Sequence, residues 1–405
     1  MKYPKWLALL IGLSLTATPG IAIAQPSSPS AKPAAQKTVL SPKPKTPSIT
    51  LPVNSTRWKN PRLVFTLNAL TEGETKQIEE EVFFSSSYPI SISPDGKTLA
   101  SGGMNAVRLW DLQTGKDATA PLAQTQGVSP SGIKSVSFSP DGKLLSVASG
   151  ARQIFQQSGG NSRKEWNPEG IVEVWNLGNR DRLSWQDAVN LGVQAAITSS
   201  GQLIYSESGL KVINISDGRS IFSLPTVSIA NQFFALLPGE NILIIPNLRD
   251  GVGFRDLKDG KSLGSINNKT LSGSSTSLPT LNLETCIAAS PDEALLAISR
   301  DGKVITIVNV QNLRTKIEKQ LSSDIQQIES KHQGDITFMA FSPDHRVLAT
   351  ASKDKTVKLW DVKTGSLITT ITEHGAAMTS VAFAPDGKML VTSGMDGKIR
   401  VWRND

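Results

Sequence analysis

An all-β fold, a seven-bladed β-propeller, is what the sequence predicts, and three observations carry it. The first is strand-and-turn alternation. In residues 332–360 (HQGDITFMAFSPDHRVLATASKDKTVKLW) the β-branched, apolar runs 336–341, 347–352 and 356–362 are separated by SPDHR and SKDK and followed by KTGS. Asp, Gly and Ser recur in such turns because they bond their own backbone or tolerate positive φ. The second is repetition at intervals of 40–60 residues, which calls for a ring or solenoid before any other architecture. The third is the number of copies: seven, a count that closes a propeller.

The last two copies agree residue for residue. In 374–402 (HGAAMTSVAFAPDGKMLVTSGMDGKIRVW), His374 precedes Asp396 by 22 residues, as His332 precedes Asp354. Each Asp stands six before its Trp (Trp360, Trp402), and Thr350 and Thr392 stand four before that Asp. The earlier copies cover 88–116; 133–150 completed by 171–177; 193–219, with Ile213 in the Trp place; 233–261, with Phe254 there; and 286–310, with Ile307 there.

These spacings resemble the WD40-repeat family. The resemblance covers about 60–405 and is weakest in the third to fifth copies, which lack the Trp and a matching His; the first copy has Met104 where Asp is expected. It implies two structural tetrads, His332–Thr350–Asp354–Trp360 and His374–Thr392–Asp396–Trp402. In each, carboxylate, imidazole, hydroxyl and indole N–H satisfy one another. It also implies that the N-terminal strand completes the last blade. The segment 61–67 (PRLVFTL) is the spare outer strand, and the last copy runs only to Asp405.

Three regions are expected: 1–24, a signal peptide; 25–58, a disordered Pro/Ser/Lys-rich linker; and 59–405, the propeller. Lys2 and Lys5 precede the apolar run 6–15, and Ala22-Ile23-Ala24 makes a small-x-small cleavage site. Thr18-Pro19-Gly20 cuts the apolar run short of the roughly 20 residues of a spanning helix, so no stable membrane span is expected after cleavage. Residues 1–60 hold eight basic and no acidic side chains, so the formal +7 leaves about −1 for 61–405. The basic charge belongs to the tail, which argues against nucleic acid as partner. One cysteine, Cys286, allows no intramolecular disulfide and is expected as a small buried hydrophobe; export to a bacterial periplasm or the extracellular space is compatible with that.

Within a blade of strands a to d, the b–c and d–a connections open on one end of the ring, and the a–b and c–d turns on the other. The a–b and c–d turns read as uniformly tight (SPDGK, SSGQ, PGEN; LQTGK, KDGK, KTGS). The long insertions 70–81, 267–284 and 322–331 read as d–a loops and 151–169 as a b–c loop, so all fall on one end. That end is the expected binding surface. On it, Arg152, Phe155, Arg163, Lys164 and Trp166 combine cations with aromatics, the composition enriched at interfaces.

Catalytic chemistry finds little support. With His332 and His374 in tetrads and His345 in a tight turn, no Ser–His–Asp set and no metal-ligand set remain. Gly251-Val252-Gly253 does not extend to a dinucleotide fingerprint, and Asp95, Asp141, Asp292, Asp344 and Asp386 share one turn position. The expected protein is a monomeric, exported, non-catalytic scaffold for a protein or peptide, without cofactor or metal. The rivals are an envelope propeller enzyme and a TolB-like periplasmic propeller.

Overall fold

A computed structural model describes residues 55–70 and 87–404, except 105, 124–131, 151, 159–160, 168–169, 190–193, 207–208, 226–233, 238, 240, 248–250, 268–284, 293, 300–301 and 311–324; within 152–170 and 184–189 it describes the backbone alone. Apart from one 3-10 turn, Ser55–Lys59, the regular elements among these residues are β-strands. After β1 (Arg62–Asn68), blade one is β2 (Ile90–Ile92), β3 (Thr98–Gly102), β4 (Ala106–Asp111) and β5 (Leu122–Ala123). Blade two is β6 (Ile133–Phe138), β7 (Leu144–Ser149), β10 (Gly170–Asn176) and β11 (Arg182–Val189), with β8 (Arg152–Ser158) and β9 (Asn161–Asn167) inserted between its middle strands. Blade three is β12 (Ala195–Ile197), β13 (Gln202–Ser206), β14 (Gly209–Asn214) and β15 (Ser220–Pro225). Blade four is β16 (Ala235–Leu237), β17 (Ile242–Asn247), β18 (Gly251–Asp256) and β19 (Ser262–Ile266). Blade five is β20 (Cys286–Ala289), β21 (Leu295–Ser299), β22 (Val304–Asn309) and β23 (Ile325–Glu329). Blade six is β24 (Ile336–Phe341), β25 (Val347–Ser352), β26 (Val357–Asp361) and β27 (Leu367–Ile371). Blade seven has β28 (Met378–Phe383), β29 (Met389–Gly394) and β30 (Lys398–Arg403), and takes β1 as its outer strand. Seven antiparallel sheets form the expected propeller.

The a–b hairpins are set by their turn residues. In blade one the Ser93 hydroxyl donates to Asp95 (2.6 Å) and accepts from the Thr98 N–H (2.9 Å), while Gly96 takes φ +72°. Blades two and six repeat the pattern with Ser139 and Asp141, and with Ser342 and Asp344; His345 adopts φ +51° where sister blades have Gly. Inner strands are buried on both faces, as β25 is along its whole length, because blades stack face to face; β1, on the rim, is exposed or half-buried except at Leu67. Every pair of neighbouring blades shares an apolar core, including blades seven and one, where Leu67 and Val401 meet Leu99 and Trp110.

The seam between blades seven and one is fastened three ways. β1 pairs antiparallel with β30 from Arg62↔Arg403 to Asn68↔Lys398. Arg108 of β4 spends its guanidinium on the Asp117 carboxylate (Nε 3.0 Å, Nη2 2.5 Å) and on the carbonyls of Asn68 (2.8 Å) and Leu70 (3.1 Å), lying 4.0 Å from the Trp110 ring centroid. Gly115, at φ +67°, lies against the Phe65 ring of β1, so that an added Cβ would sit 2.8 Å from it. Ahead of β1, Trp58 is completely buried in the core between blades six and seven, edge-on to Phe383 at 5.4 Å.

Four expectations are corrected. The linker boundary at residue 58 falls inside the 3-10 turn, because Trp58 is a core residue. Strand pairing sets Arg255, not Phe254, and Val308, not Ile307, in the Trp place: Leu243 faces Arg255 and Leu296 faces Val308, as Leu348 faces Trp360. A one-residue slip reverses the face, and Phe254 accordingly packs toward blade five and Ile307 toward blade six. Residues 322–331 are not a d–a loop, since 325–329 form β23. Ile328 packs toward blade six and Ile325 toward blade four, a spacing of three that hides the strand in the sequence. The connection before it, 311–324, joins c to d and lies outside the described residues. The fourth correction, at 151–169, concerns the site itself.

Deleting residues 61–67 removes the outer strand of blade seven and the carbonyl partner of Arg108 at Asn68 is lost with its register. The expected result is a lower, less cooperative thermal transition; an unchanged melting temperature would refute closure by β1. Trp58→Ala is expected to cost about 3–5 kcal/mol in denaturant unfolding. Trp58→Phe should cost far less, because the indole N–H it removes has no hydrogen-bond partner.

Candidate functional site

The stretch expected as a b–c loop contains a β-hairpin within that connection. β8 and β9 pair from Arg152↔Asn167 to Ser158↔Asn161, leaving Gly159 and Gly160 as the two intervening residues. A Gly-Gly pair between equal runs is a hairpin signal; the polar character of both runs conceals it. All five expected contact residues lie on it, Arg152 and Phe155 on β8, and Arg163, Lys164 and Trp166 on β9. The register divides them. Phe155 stands opposite Lys164, and Trp166 opposite Gln153, at one parity of the pleat; Arg152 (opposite Asn167) and Arg163 (opposite Gln156) occupy the other. The insertions 70–81 and 267–284 connect outer strands to the next blade and leave from the same end as the hairpin, and their greater part lies outside the described residues.

Blade six brings its four expected residues together. The His332 Nδ1 is 2.8 Å from Asp354 Oδ2 and its Nε2 is 2.8 Å from the Thr350 hydroxyl, which accepts from Trp360 Nε1–H at 3.0 Å. Burial raises the Asp354 pKa, but hydrogen bonds from Thr356, the Gln333 N–H and His332 outweigh it and hold the group at about 2. Burial chiefly lowers the His332 pKa. The imidazole is therefore neutral, with its proton on Nδ1, and Thr350 donates to Nε2.

Blade seven assembles differently. His374 Nε2 lies 2.7 Å from Thr392, and Trp402 Nε1–H donates to that hydroxyl at 2.9 Å. The Asp396 carboxylate reaches the ring through Arg400, whose Nη1 donates to His374 Nδ1 (2.7 Å) and to Asp396 Oδ2 (3.1 Å). Accepting at Nδ1 puts the His374 proton on Nε2, the opposite tautomer from His332. In blade six Lys358 holds the position of Arg400 but donates to Thr370 (3.3 Å), leaving His332 to Asp354. Burial and the Arg400 charge push the His374 pKa down to about 4.

The remaining Trp-bearing blades improvise. In blade one Trp110 donates to Ser101 (2.9 Å) and Met104 is wholly buried in the apolar core. In blade two Trp175 donates to the buried Glu173 (3.2 Å), whose other oxygen accepts from Arg182 at 2.7 Å. Glu173, Arg108 and Arg400 were not foreseen; each occupies the same position on its c strand, a polar residue between apolar neighbours, which is the signal available.

The recurrent turn carboxylates are engaged locally. Ser93 and the Lys97 N–H lower the Asp95 pKa, and Ser139 and the Lys143 N–H that of Asp141. His345 is half exposed, with Nδ1 3.3 Å from Asp292 on blade five. Cys286 is buried and forms no disulfide. Among the described residues no three His, Cys, Asp or Glu side chains gather as a metal set.

Both tetrad histidines are neutral in the fold, with pKa values below the unfolded value of about 6.5. Unfolding then takes up protons below that pH. Their contribution is complete above about pH 6.5 and is lost as pH falls from there, toward about 4 for His374. The slope is at most about 1.4 kcal/mol per pH unit per histidine. Arg400→Gln removes the cation that depresses His374, so urea unfolding of that variant should weaken less steeply with acid. An unchanged slope would contradict this geometry.

The family model for the WD domain, G-beta repeat, matches residues 122–154, 324–361 and 365–403. Protein tipD of Dictyostelium discoideum is 24% identical over 292 residues, covering 71% of this chain and 41% of that protein. WD repeat-containing protein 1 of Xenopus tropicalis is 23% identical over 192 residues, covering 47% and 28%. Target of rapamycin complex subunit LST8 of Saccharomyces cerevisiae is 33% identical over 73 residues, covering 18% and 24%. The chain thus spans less than half the length of each of these relatives. Each matched stretch begins at the outer strand of one blade and runs into the inner strands of the next, the phase that a ring fastened by a displaced first strand requires, so the chain is a seven-bladed β-propeller that carries WD40 repeats at these three positions.

Proposed function

We propose that this propeller is an exported, non-catalytic scaffold that captures a protein or peptide on the end of the ring where its b–c and d–a connections emerge. The observation that carries the reading is the β8–β9 hairpin. It is two seven-residue strands bearing cations and aromatics, set on a ring whose blades are locked together by continuous apolar cores. A rigid support loses little conformational entropy on association, so contacts made by the hairpin convert efficiently into affinity. That one relative is named as a complex subunit agrees with a role in assembly. Export rests on the N-terminal sequence, with Lys2 and Lys5 before the apolar run and a small-x-small site ending at Ala24.

The test is site-specific photocrosslinking in the native host. A photoreactive residue at Phe155 or Trp166 should yield a discrete protein adduct, and one at Lys97 or Arg219, on the a–b and c–d end, should not. Equal adducts from both ends would refute the assignment of the face. N-terminal sequencing of the recovered chain should begin at Gln25; a chain beginning at Met1 would refute cleavage.

A further inference from the structure

We infer that the β8–β9 hairpin is an unfinished sheet, completed by an extended, acidic segment of the partner that adds as a third strand. This deepens the scaffold reading above and rests on it. The strands belong to a two-stranded sheet of their own, with neither outer edge paired to another strand of the described structure. Among the described residues, no other strand's backbone runs closely alongside them. A hairpin in that position is marginal by itself in water, because two strands leave an unpaired row of N–H and C=O groups on each side and cannot bury an apolar face. Isolated edges of natural sheets are normally short, bulged, interrupted by proline or lined with charge, and of these devices the hairpin has only the charge. Here the pairing is regular over seven residues per strand, with no register shift and no proline. Ile154, Phe155 and Trp166 supply β-forming, apolar content that a solvated spacer does not need.

Charge selects the occupant. β8 and β9 carry Arg152, Arg163 and Lys164 against Glu165, a net of +2, whereas residues 61–405 as a whole are near −1. The hairpin is a basic element on an almost neutral ring. Two copies paired edge to edge would set +2 against +2, which disfavours a second copy of this chain. A strand rich in Glu or Asp meets complementary charge while its backbone completes the ladder, the division of labour of strand addition: main-chain bonds for affinity, side chains for choice. The register places cations at both parities of the pleat, Lys164 on one and Arg152 and Arg163 on the other, so carboxylates on either side of an added strand find a partner.

The experiment uses the full chain and a fluorescein-labelled 12-residue peptide alternating Glu and Val, with its Lys–Val counterpart as control. Fluorescence anisotropy should show the acidic peptide bound at least tenfold tighter than the basic one. Hydrogen exchange should slow at amides of 152–158 or 161–167 on binding. Replacing 151–169 by Gly-Gly, with the melting temperature unchanged, should abolish binding. Should that variant fold poorly, the triple variant Arg152→Glu, Arg163→Glu, Lys164→Glu should reverse the preference between the two peptides. No binding, equal binding of both peptides, or binding without new amide protection would overturn the proposal. So would a concentration-dependent dimer in sedimentation that disappears when the hairpin is replaced, since it would name a second copy as the occupant. Failure here with crosslinking at Phe155 intact would leave the scaffold reading standing, whereas loss of both would remove it.

Discussion

The pairing of β1 with β30 is the interaction on which the rest of this molecule depends. Each blade has two faces to bury and no core of its own, so its stability is lent by its two neighbours. A row of such units stays marginal at its ends unless those ends are capped; a ring has no ends, provided the last interface forms. The polypeptide must therefore bring a segment from before blade one across to blade seven. Backbone pairing does this without demanding particular side chains, and the side chains around it then fix the geometry. Arg108 is the most demanding of them. Four hydrogen bonds divide its N–H groups between a carboxylate and two carbonyls that belong to opposite sides of the seam, and it lies over the Trp110 ring. Lysine could offer the charge there but not the fork.

A second constraint is the polar chemistry inside the stack. An indole N–H buried between blades needs an acceptor, and an acceptor buried beside it needs its own donors. Blade one gives its indole a serine hydroxyl, and three further solutions occur in the same ring. Blade six passes the chain from indole to hydroxyl to imidazole to carboxylate. Blade seven inserts a guanidinium between the last two and inverts the imidazole tautomer. Blade two dispenses with the histidine and gives the indole a fully buried carboxylate neutralised by Arg182. What is held constant is the satisfaction of every group in the chain, because a half-satisfied network in low dielectric costs more than an apolar core. The identity of the residues is free to vary.

The pattern of what was legible in the sequence follows from this. Turn chemistry and apolar runs are local, so the seven blades and the borrowed strand could be read from SPDGK-like turns and from the spare run at 61–67. The register of His332, Thr350, Asp354 and Trp360 is also local to one blade and could be counted. Where the sequence misled, the deciding contact was between blades or a matter of one residue. Trp58 looks like the end of a linker until blades six and seven close over it. Phe254 and Ile307 look like tryptophan substitutes until pairing shows that they face the other neighbour. Ile325 and Ile328 spaced by three do not announce a strand, because each serves a different neighbouring blade. Arg400 was invisible as a tetrad member, since nothing in the spacing distinguishes its reach from that of Lys358.

The division of the ring into two ends gains its meaning from the same physics. Turns of the a–b class are pinned by serine–aspartate bonds and lie close to the preceding blade, where a Cβ added at Gly96 would meet Pro385 and one at Gly142 would meet Pro94. They are part of the stacking and have little freedom to change. Connections between b and c in blade two escape that constraint, because the strands they join are already fixed by pairing on both sides. An insertion there can lengthen without disturbing a core, and it inherits the rigidity of its base. Blade five shows that length is not confined to the b–c and d–a connections, since fourteen residues, 311–324, join its c and d strands. The case for the hairpin end therefore cannot rest on the distribution of loops. It rests on what the hairpin is: regular β structure in a sheet of its own, with two edges of backbone hydrogen-bonding groups that no strand of the described propeller meets.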